Sequence, residues 1–481
     1  MHLSVILRVT GILLTLFSIP LLSPTIVAVI YGEDTISAFV QAFAICLVVG
    51  VSLWVLSRGK RELRSGDGFL ITVLFYVSLG IVGAFPFFLV ESGASSFTDA
   101  VFESLSGLTT TGATVLTGLD DMPKSILFYR QLLQWLGGMG IIVLAVAILP
   151  MLGIGGMQLY RAESPGPVKD SKLTPRITET AKALWYIYLS LTITCGVAYW
   201  LAGMSAFDAI CHSFATVAIG GFSTHDLSLG YFNSATIETI AIVFMIFSGI
   251  NFGLHFAVWT RRNPLHYFQD REVRLYLTAL VSVSAIVCYL LTTIPDASSE
   301  PIRQGIFQVV SMATTTGFTT ANFAEWPSVI PILLLFAAFA GGCAGSTAGG
   351  MKMVRVLLIY LQGVREIRRL IHPNGIFPIK LGRQSIPESV IDSVWSFFAA
   401  YVILFITMVC VIMVVADIDF ITAFSSIGAT LNNLGPGLGD VALNYTSLND
   451  GSKWLLMLSM LFGRLEIFTL LVLLTPAFWR R

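Results

Sequence analysis

The sequence predicts an all-α polytopic membrane protein. Two extra N-terminal spans precede four repeats of span, pore helix, filter segment and span, arranged around a pseudo-four-fold pore. The first supporting observation is composition: the 481 residues are 55% hydrophobic and only 12% charged, against roughly 25% charged residues in soluble domains. So much apolar surface must face lipid. The second is a repeat: four similar polar segments interrupt the apolar sequence, with their glycines separated by 109, 96 and 118 residues.

We call these four stretches glycine segments 1 to 4. They read TTTGAT at residues 109–114, IGGFST at 219–224, TTTGFT at 314–319 and NNLGPG at 432–437. Each is anchored on one glycine: Gly112, Gly221, Gly317 and Gly435. Four corresponding copies favour a common role over the alternative that glycine and threonine only let membrane helices pack closely.

Ten apolar runs approach or exceed the roughly 20 residues that cross a bilayer. They are residues 5–30, 37–56, 69–90, 126–151, 184–201, 237–259, 275–293, 330–361, 390–415 and 454–476. We expect Pro20 and Pro24 to kink or break the first run. Basic residues follow every second run, from Arg58–Arg64 to Arg480 and Arg481. The positive-inside rule therefore places these loops and both termini in the cytoplasm.

Shorter apolar runs precede each glycine segment, at residues 98–108, 207–217, 302–313 and 420–431. Each is about half a span long, which predicts a half-helix that enters the membrane without crossing it. The predicted units are residues 1–66 for the N-terminal span pair, then repeats 1 to 4 at 67–160, 161–268, 269–384 and 385–481.

A half-helix followed by extended backbone is tolerated at membrane depth only when it is buried in protein or lines water. Four such strands around one axis can direct carbonyl oxygens inward and replace the hydration shell of a cation. Glycine permits the unusual dihedrals and close approach that this requires. Oxygen-only ligation suits a hard monovalent cation, and the half-helix C-termini add partial negative charge.

The third inner run contains five glycines within residues 340–350, each costing about 1 kcal/mol in a helix. We expect a flexible loop beneath the filter that acts as a gate, although close packing of small residues is an alternative. The predicted gate glycines are Gly341, Gly342, Gly345, Gly349 and Gly350.

Charged residues at membrane depth are usually functional or paired, and Arg464, Glu466 and Lys352 are candidates for such a role. Arg464 and Glu466 fall in the predicted tenth span and would lie about 200° apart on a helix. We expect Arg464 to face the cavity below the filter and Glu466 to pair with Lys352 or another base; purely structural pairing of all three is the alternative. Acids near the half-helix starts are predicted caps and dipole partners: Asp99, Glu103, Asp208, Asp417 and Asp419. His212 and His255 are expected to be structural.

Several function classes lack support. The net charge is zero, so nucleic-acid binding has no electrostatic basis. No CxxC pair suggests a zinc site or disulfide framework, and no GxSxG, HExxH or Walker A motif suggests an enzyme. A polytopic membrane enzyme would need clustered His, Asp or Glu, whereas the six histidines are dispersed. Because the loops are too short for a nucleotide-binding domain, nucleotide control would require another subunit.

The four glycine segments, the NNLGPGLG of the fourth and the GGMG at residues 137–140 resemble the Trk/Ktr/HKT superfamily of potassium transporters. The extra N-terminal span pair most resembles its bacterial Trk membrane subunits. The resemblance implies a homodimer in the bacterial inner membrane, with one pore per protomer selective for potassium and rubidium. It also implies gating by a cytosolic ring of RCK subunits, which alone would bind nucleotide (ATP/ADP or NAD), and an intramembrane loop that obstructs the pore.

By motif, the resemblance assigns the ion-coordinating positions to Thr110, Thr111, Gly112, Ile219, Gly220, Gly221, Thr315, Thr316, Gly317, Asn433, Leu434 and Gly435. Because Ile219 and the NNL of segment 4 replace threonines, we expect backbone carbonyls to do most of the coordination. Potassium would be the only metal, held at the filter. The alternative is a symporter coupled to protons or sodium, with Glu466 as a weak relay candidate. A sodium-conducting relative would be suggested by a serine at position 112, but that residue is glycine.

Overall fold

The fold is described by a computed structural model covering residues 3–57, 65–91, 93–140, 177–295, 297–327, 329–381 and 384–480. Its N-terminal unit is a bent helix followed by a straight one. The first part, α1, ends before a 3₁₀ turn at Pro20–Leu22, and the second part, α2, carries Pro24 in its first turn, where proline is tolerated. The predicted kink is confirmed. The helices are α1 (Leu3–Ser18), α2 (Ser23–Tyr31) and α3 (Ile36–Leu56).

Repeats 1 and 2, named as predicted above, each contain one short helix before a glycine segment. Repeat 1 has α4 (Ser65–Val82), α5 (Phe85–Leu89), the short α6 (Phe97–Leu108) and α7 (Lys124–Trp135), which continues as a π turn at Leu136–Gly140. Repeat 2 has α8 (Ile177–Leu201), the short α9 (Ala206–Ala218), α10 (Ala235–Ser248), α11 (Phe252–Arg261) and α12 (Leu265–Gln269).

Repeats 3 and 4 follow the same order. Repeat 3 has α13 (Arg271–Thr293), the short α14 (Pro301–Ala313), α15 (Ile330–Ala340), α16 (Met353–Ile371) and an antiparallel hairpin of β1 (Lys380–Leu381) with β2 (Gln384–Ser385). Repeat 4 has α17 (Glu388–Ala416), the short α18 (Phe420–Leu431), α19 (Asp450–Arg464), α20 (Ile467–Leu474) and α21 (Pro476–Trp479). The four predicted half-helices match α6, α9, α14 and α18 within one residue at either end.

Six helices of the described chain are long and apolar enough to cross a membrane, or eight if each of two bent pairs counts as one span. The two other predicted spans behave differently. The run at 126–151 continues from α7 into residues 141–151, which lie outside the described ones. The run at 330–361 is divided between α15 and α16 by the glycine-rich stretch.

The prediction of continuous spans at 237–259 and 454–476 is wrong. Helices α10 and α11 meet at 93°, and α19 and α20 meet at 114°. The first break is stabilised by Asn251, whose Oδ1 accepts a 2.7 Å hydrogen bond from the Gly253 amide and caps α11. The second break lies at Glu466, whose left-handed φ of 58° cannot continue a helix. Three inner helices of the described chain are therefore interrupted, and the first break contacts the predicted gate, where the amide of Phe252 donates to the carbonyl of Gly345 at 3.0 Å.

Hydroxyl or carboxylate caps begin three of the four half-helices. Ser96 and Ser205 accept from the amides of Asp99 and Asp208, and Asp419 accepts from that of Ile421. Asp419 is thus the cap that was predicted. Asp99 and Asp208 instead occupy the third helical position, where an acid complements the helix dipole. Asp417 ends α17 in a left-handed conformation.

Candidate ion-conducting site

The four half-helices end in the same backbone geometry. In each, the residue before the anchoring glycine donates from its amide to the helix carbonyl five residues earlier. The residue two positions before the glycine has a left-handed backbone. Together these two features form a Schellman motif. The amide-to-carbonyl pairs are Thr111 to Ser106 (2.9 Å), Gly220 to Ala215 (2.9 Å), Thr316 to Ser311 (2.8 Å) and Leu434 to Ala429 (2.9 Å). The left-handed residues are Thr110, Ile219, Thr315 and Asn433, with φ of 54°, 54°, 64° and 53°.

These left-handed residues are strained, because glycine is the usual occupant and other residues lose about 1–2 kcal/mol there. Three of them form hydrogen bonds through their side chains: Thr110, which Arg464 contacts, Thr315 and Asn433. Thr315 Oγ1 accepts a 2.7 Å hydrogen bond from the amide of Gly349. Asn433 Nδ2 donates to Thr111 Oγ1 and to the carbonyl of Met460, both at 3.0 Å. Such strain at equivalent positions is typical of a functional site.

The anchoring glycines form a closed ring through the neighbouring repeats. They have φ between 80° and 97°, and at each one a Cβ atom would lie less than 3.0 Å from a carbonyl oxygen of the next segment. Gly112 faces Gly220, Gly221 faces Thr316, Gly317 faces Leu434 and Gly435 faces Thr111. The order 1, 2, 3, 4 and back to 1 closes the circle. The structure therefore brings all twelve sequence-predicted residues of the four segments into one ring.

Two side chains outside the segments hold ring carbonyls. The Gln134 amide donates to the carbonyl of Gly220 at 2.7 Å and accepts from the amide of Phe222 at 3.1 Å. Tyr445 Oη donates to the carbonyl of Gly435 at 2.7 Å, and its own amide donates to the carbonyl of Thr114 at 2.9 Å. A carbonyl oxygen has two lone pairs, so Gly220 and Gly435 each keep one for another partner.

Glu103 is not a helix cap, contrary to the prediction. It is fully buried on α6 and pairs with Arg130 of α7, with 2.8 Å between Oε1 and Nε. Arg130 and Gln134 were missed because they fall within a run that reads as an apolar span. The available signal was their spacing: polar residues at i and i+4 share one helix face, and buried polar residues in a membrane segment are usually functional.

The glycine loop, residues 341–350, contacts segments 3 and 4 and the C-terminal end of the half-helix α9. The amide of Gly349 donates to Thr315 of segment 3 at 2.7 Å, and that of Gly350 donates to the carbonyl of Asn432 of segment 4 at 3.1 Å. Thr347 Oγ1 donates to the carbonyl of Val217, at the end of α9, at 3.0 Å. All five predicted gate glycines belong to this loop.

Arg464 lies against segment 1 and the glycine loop. Its Nη1 is 3.3 Å from Thr110 Oγ1 of repeat 1 and 3.4 Å from the carbonyl oxygen of Thr347 in the loop of repeat 3. Its Nη2 donates to the carbonyl of Gly138 at 2.6 Å and to that of Gly137. One guanidinium thus bridges elements of repeats 1 and 3, which stand opposite each other in the ring.

The backbone around Arg464 and Glu466 differs from the prediction. Arg464 and Glu466 do not lie on one helix, because α19 ends at Arg464 and the chain turns at Glu466. Glu466 pairs with a base other than Lys352: its Oε2 is 3.0 Å from Nη2 of Arg355. The buried Lys352 donates from Nζ to the carbonyl of Ala348 in the glycine loop.

An acidic and aromatic cluster surrounds His225 in the loop beyond segment 2. His225 Nδ1 lies 2.5 Å from Asp120 Oδ1, its Nε2 lies 3.6 Å from Asp208 Oδ1, and its ring stacks on Tyr231 at 3.5 Å. Burial disfavours the imidazolium, but the carboxylates of Asp208 and Asp120 outweigh it and raise the pKa of His225 above its ordinary value. The stacked ring of His212, 6.4 Å away, completes the cluster.

Within the described residues, no group of three or more His, Cys, Asp or Glu side chains could hold a metal ion. All six cysteines are unpaired with each other.

The chain as a whole is similar to known proteins. The family model of TrkH, described as cation transport protein, matches residues 35–481. This chain belongs to the TrkH family. It is 57% identical to the Trk system potassium uptake protein TrkH of Vibrio parahaemolyticus, covering 99% of both chains, and 56% identical to that of Escherichia coli K12, covering 100% of both. The E. coli protein TrkG is 40% identical, covering 100% of this chain and 99% of TrkG.

A solved structure agrees with the TrkH family assignment over the whole chain. The crystal structure of the potassium transporter TrkH from Vibrio parahaemolyticus matches with a TM-score of 0.90 at 53% identity, and the match covers 100% of each chain. The family and the apolar helices together identify an integral membrane protein of a transport family.

We predict that Gly112→Ala damages the ring. A Cβ atom there would meet the carbonyl of Gly220, and such overpacking costs roughly 1–3 kcal/mol, so the melting temperature of the purified protein should fall. The matched control is Gly363→Ala on α16, where a Cβ meets no atom within 4 Å and should stabilise the helix by up to about 1 kcal/mol. Equal melting temperatures for the two variants would contradict the close approach.

We also predict a pH-dependent loss of stability in His225→Gln. Because folding raises the pKa of His225, protonation of this residue stabilises the folded protein. The full stabilisation is present below the pKa of His in the unfolded chain, about 6.5. It is lost as pH rises through the pKa of His225 in the folded protein. The variant should therefore melt several degrees below wild type at acidic pH and close to it at alkaline pH. The exposed His372→Gln serves as the control. A deficit that is the same at both pH values would count against the carboxylate contacts.

Proposed function

We propose that this protein takes up potassium, and also rubidium, across the bacterial inner membrane through a gated, channel-like pore. The observation that carries the proposal is the closed ring, in which each anchoring glycine lies against the carbonyl of the next segment. The names of its relatives in Vibrio and E. coli, which describe potassium uptake proteins, support the choice of ion.

The glycine segments are the proposed filter, with potassium as the only metal it holds. Backbone carbonyls from Thr110–Gly112, Ile219–Gly221, Thr315–Gly317 and Asn433–Gly435 replace the ion's hydration shell. The side chains at these positions differ, but the backbone conformation is the same in all four. That equivalence supports coordination by main-chain oxygens. The C-termini of the four half-helices direct partial negative charge at the ring, which favours a cation there.

The gate is the glycine loop together with Arg464. The loop binds segments 3 and 4 from the inner side, and the guanidinium bridges it to Thr110. A cation leaving the ring inward meets a fixed positive charge, and passage requires the loop to move. Loop residues Gly341, Gly345 and Gly350 have φ of 65°, 74° and 74°. Their left-handed conformation favours glycine over other residues.

The remaining assignments concern assembly and orientation. We propose four pore repeats after an N-terminal span pair, with the boundaries predicted from the sequence, and both termini in the cytoplasm. The protein acts as a homodimer gated by a cytosolic, TrkA-like ring of RCK domains, and the regulating nucleotide binds only that partner. Support comes from the basic inner ends of the spans and from the word "system" in the relatives' names. We assign the protein no enzymatic activity.

Coupled symport with protons or sodium is the alternative function. It needs an intramembrane carboxylate that can exchange protons. Glu466, the candidate from the sequence, already forms an ion pair with Arg355, with 3.0 Å between Oε2 and Nη2. The arrangement therefore supports a gated pore over symport.

Cation flux into liposomes tests the proposal. The purified protein should carry potassium and rubidium down a gradient without any proton or sodium gradient, and should discriminate against sodium and lithium. The assay is run with and without the candidate ring subunit, whose addition should raise flux in a nucleotide-dependent way. Flux that appears only when a proton or sodium gradient is imposed would establish symport instead.

Arg464→Ala tests the gate. Removing the guanidinium eliminates both the positive charge and the bridge to Thr110 and Thr347, so basal rubidium flux should rise about tenfold, since each ~1.4 kcal/mol removed from a barrier is a factor of ten. Arg261→Ala, an exposed arginine at the end of α11, is the control and should leave flux unchanged. If Arg464→Ala transports like wild type at equal expression, the assignment is wrong.

A further inference from the structure

One buried position recurs on each half-helix, and in repeats 1 and 2 its side chain binds the glycine segment of the same repeat. It lies nine residues before the anchoring glycine and is occupied by Glu103, His212, Gln308 and Ser426, all with 0% exposure. In repeats 1 and 2 this side chain forms a hydrogen bond with the residue two positions after the anchoring glycine. In repeat 1, Glu103 accepts from Thr114 Oγ1 at 3.0 Å and from the Val115 amide at 3.0 Å.

The four repeats differ at this position. In repeat 2, His212 Nε2 and Ser223 Oγ are 2.8 Å apart. An imidazole therefore binds the residue that corresponds to Thr114, which the Glu103 carboxylate binds in repeat 1. In repeat 4, Ser426 donates back into its own helix, to the carbonyl of Ala423. In repeat 3, neither amide atom of Gln308 has a hydrogen-bond partner among the described residues. Among the four residues at this position, only Glu103 of repeat 1 is a carboxylate.

The charge in repeat 1 is balanced by an arginine that spans two segments. Arg130 is 1% exposed and binds Glu103 through Nε at 2.8 Å. Its Nη2 donates to Thr114 of segment 1 at 3.1 Å, and its Nη1 donates to the carbonyl of Ser223 of segment 2 at 2.9 Å. The guanidinium also lies over the ring of Phe222 at 4.2 Å. A rigid planar fork of this kind fixes the separation of the groups that it binds.

We propose that the buried Glu103–Arg130 pair is a positioning pair that sets the spacing of segments 1 and 2 and thereby the discrimination between monovalent cations. This inference rests on the proposed filter function. Neither side chain touches the ion; both act through Thr114 and Ser223. Functional groups must be held within about 0.5 Å by their supporting residues to work as intended. A buried ion pair is weak evidence for a stabilising role, so a positional role explains its presence better.

The matched control is a second buried pair on the same half-helix. Asp99 Oδ1 and Lys453 Nζ are 2.6 Å apart, with 8% and 7% of their side chains exposed. This pair joins α6 to α19, and none of its hydrogen bonds reaches a glycine segment. It is similar in charge and burial but does not bridge two segments.

The test compares rubidium and sodium flux in liposomes for Glu103→Gln, Arg130→Lys and Asp99→Asn. Glu103→Gln keeps an acceptor for Val115 but loses the charge. Arg130→Lys keeps the charge but has one compact head that cannot bind Thr114 and Ser223 together. We expect both to lower the rubidium-to-sodium ratio roughly tenfold, the effect of losing a charge-assisted hydrogen bond. Asp99→Asn should keep the wild-type ratio.

The outcomes separate the possible failures. If Glu103→Gln leaves Arg130 uncompensated and does not fold, Arg130→Lys and the neutral double variant Glu103→Gln/Arg130→Gln decide the question. A wild-type ratio in the folded variants overturns the positioning role, even if total flux falls. An equal drop in the rubidium-to-sodium ratio for Asp99→Asn also overturns it, because the loss of any buried ion pair would then lower the ratio. If wild type itself does not discriminate, the proposed filter function fails instead.

Discussion

The backbone ring is the constraint on which the other features depend. Four chain segments approach so closely that only glycine fits between one Cα and the next carbonyl, and each approach needs a half-helix that stops in a left-handed turn. In lipid, polar backbone of this kind must be enclosed by protein. The spans, the broken inner helices and the buried hydroxyls can be understood as the enclosure that makes such a ring possible. Because glycine is required by geometry, the side chains next to it are free to vary, as Ile219 and Leu434 do.

A symmetric backbone is supported here by unlike side chains. Segment 1 is held by a buried ion pair, segment 2 by Gln134 and a histidine, and segment 4 by Tyr445. Beneath the ring the asymmetry increases, because one repeat supplies the glycine loop and another supplies Arg464. This separation is physically useful: the ring needs equal oxygen atoms for selection, whereas a gate needs a single element with two positions. The guanidinium of Arg464 is bound by carbonyls of Gly137 and Gly138 in repeat 1 as well as by Thr347 of the glycine loop.

The sequence was sufficient for the architecture but not for the interactions that hold it. Repetition located the segments, because four glycines at similar spacing are visible without coordinates, and apolar length located their half-helices. Helix breaks at Asn251 and Glu466 were missed because apolar residues continue on both sides of each break, while the cause is a local backbone conformation. Glu103 was assigned as a cap because its partner, Arg130, is distant in sequence and lies in an apolar run. The premise used for Arg464 was wrong, because the chain turns beside it and no helix continues to Glu466.

Locating the transported ion by anomalous diffraction tests the central claim most directly. Crystals of the protein soaked in thallium or rubidium should show density on the axis of the ring, surrounded by the carbonyl oxygens of Thr111, Gly220, Thr316 and Leu434. Density between these four oxygens, weaker in excess sodium, is the predicted result. Ion density beside Glu466 or in the outer cluster around His225, with none inside the ring, would contradict the account.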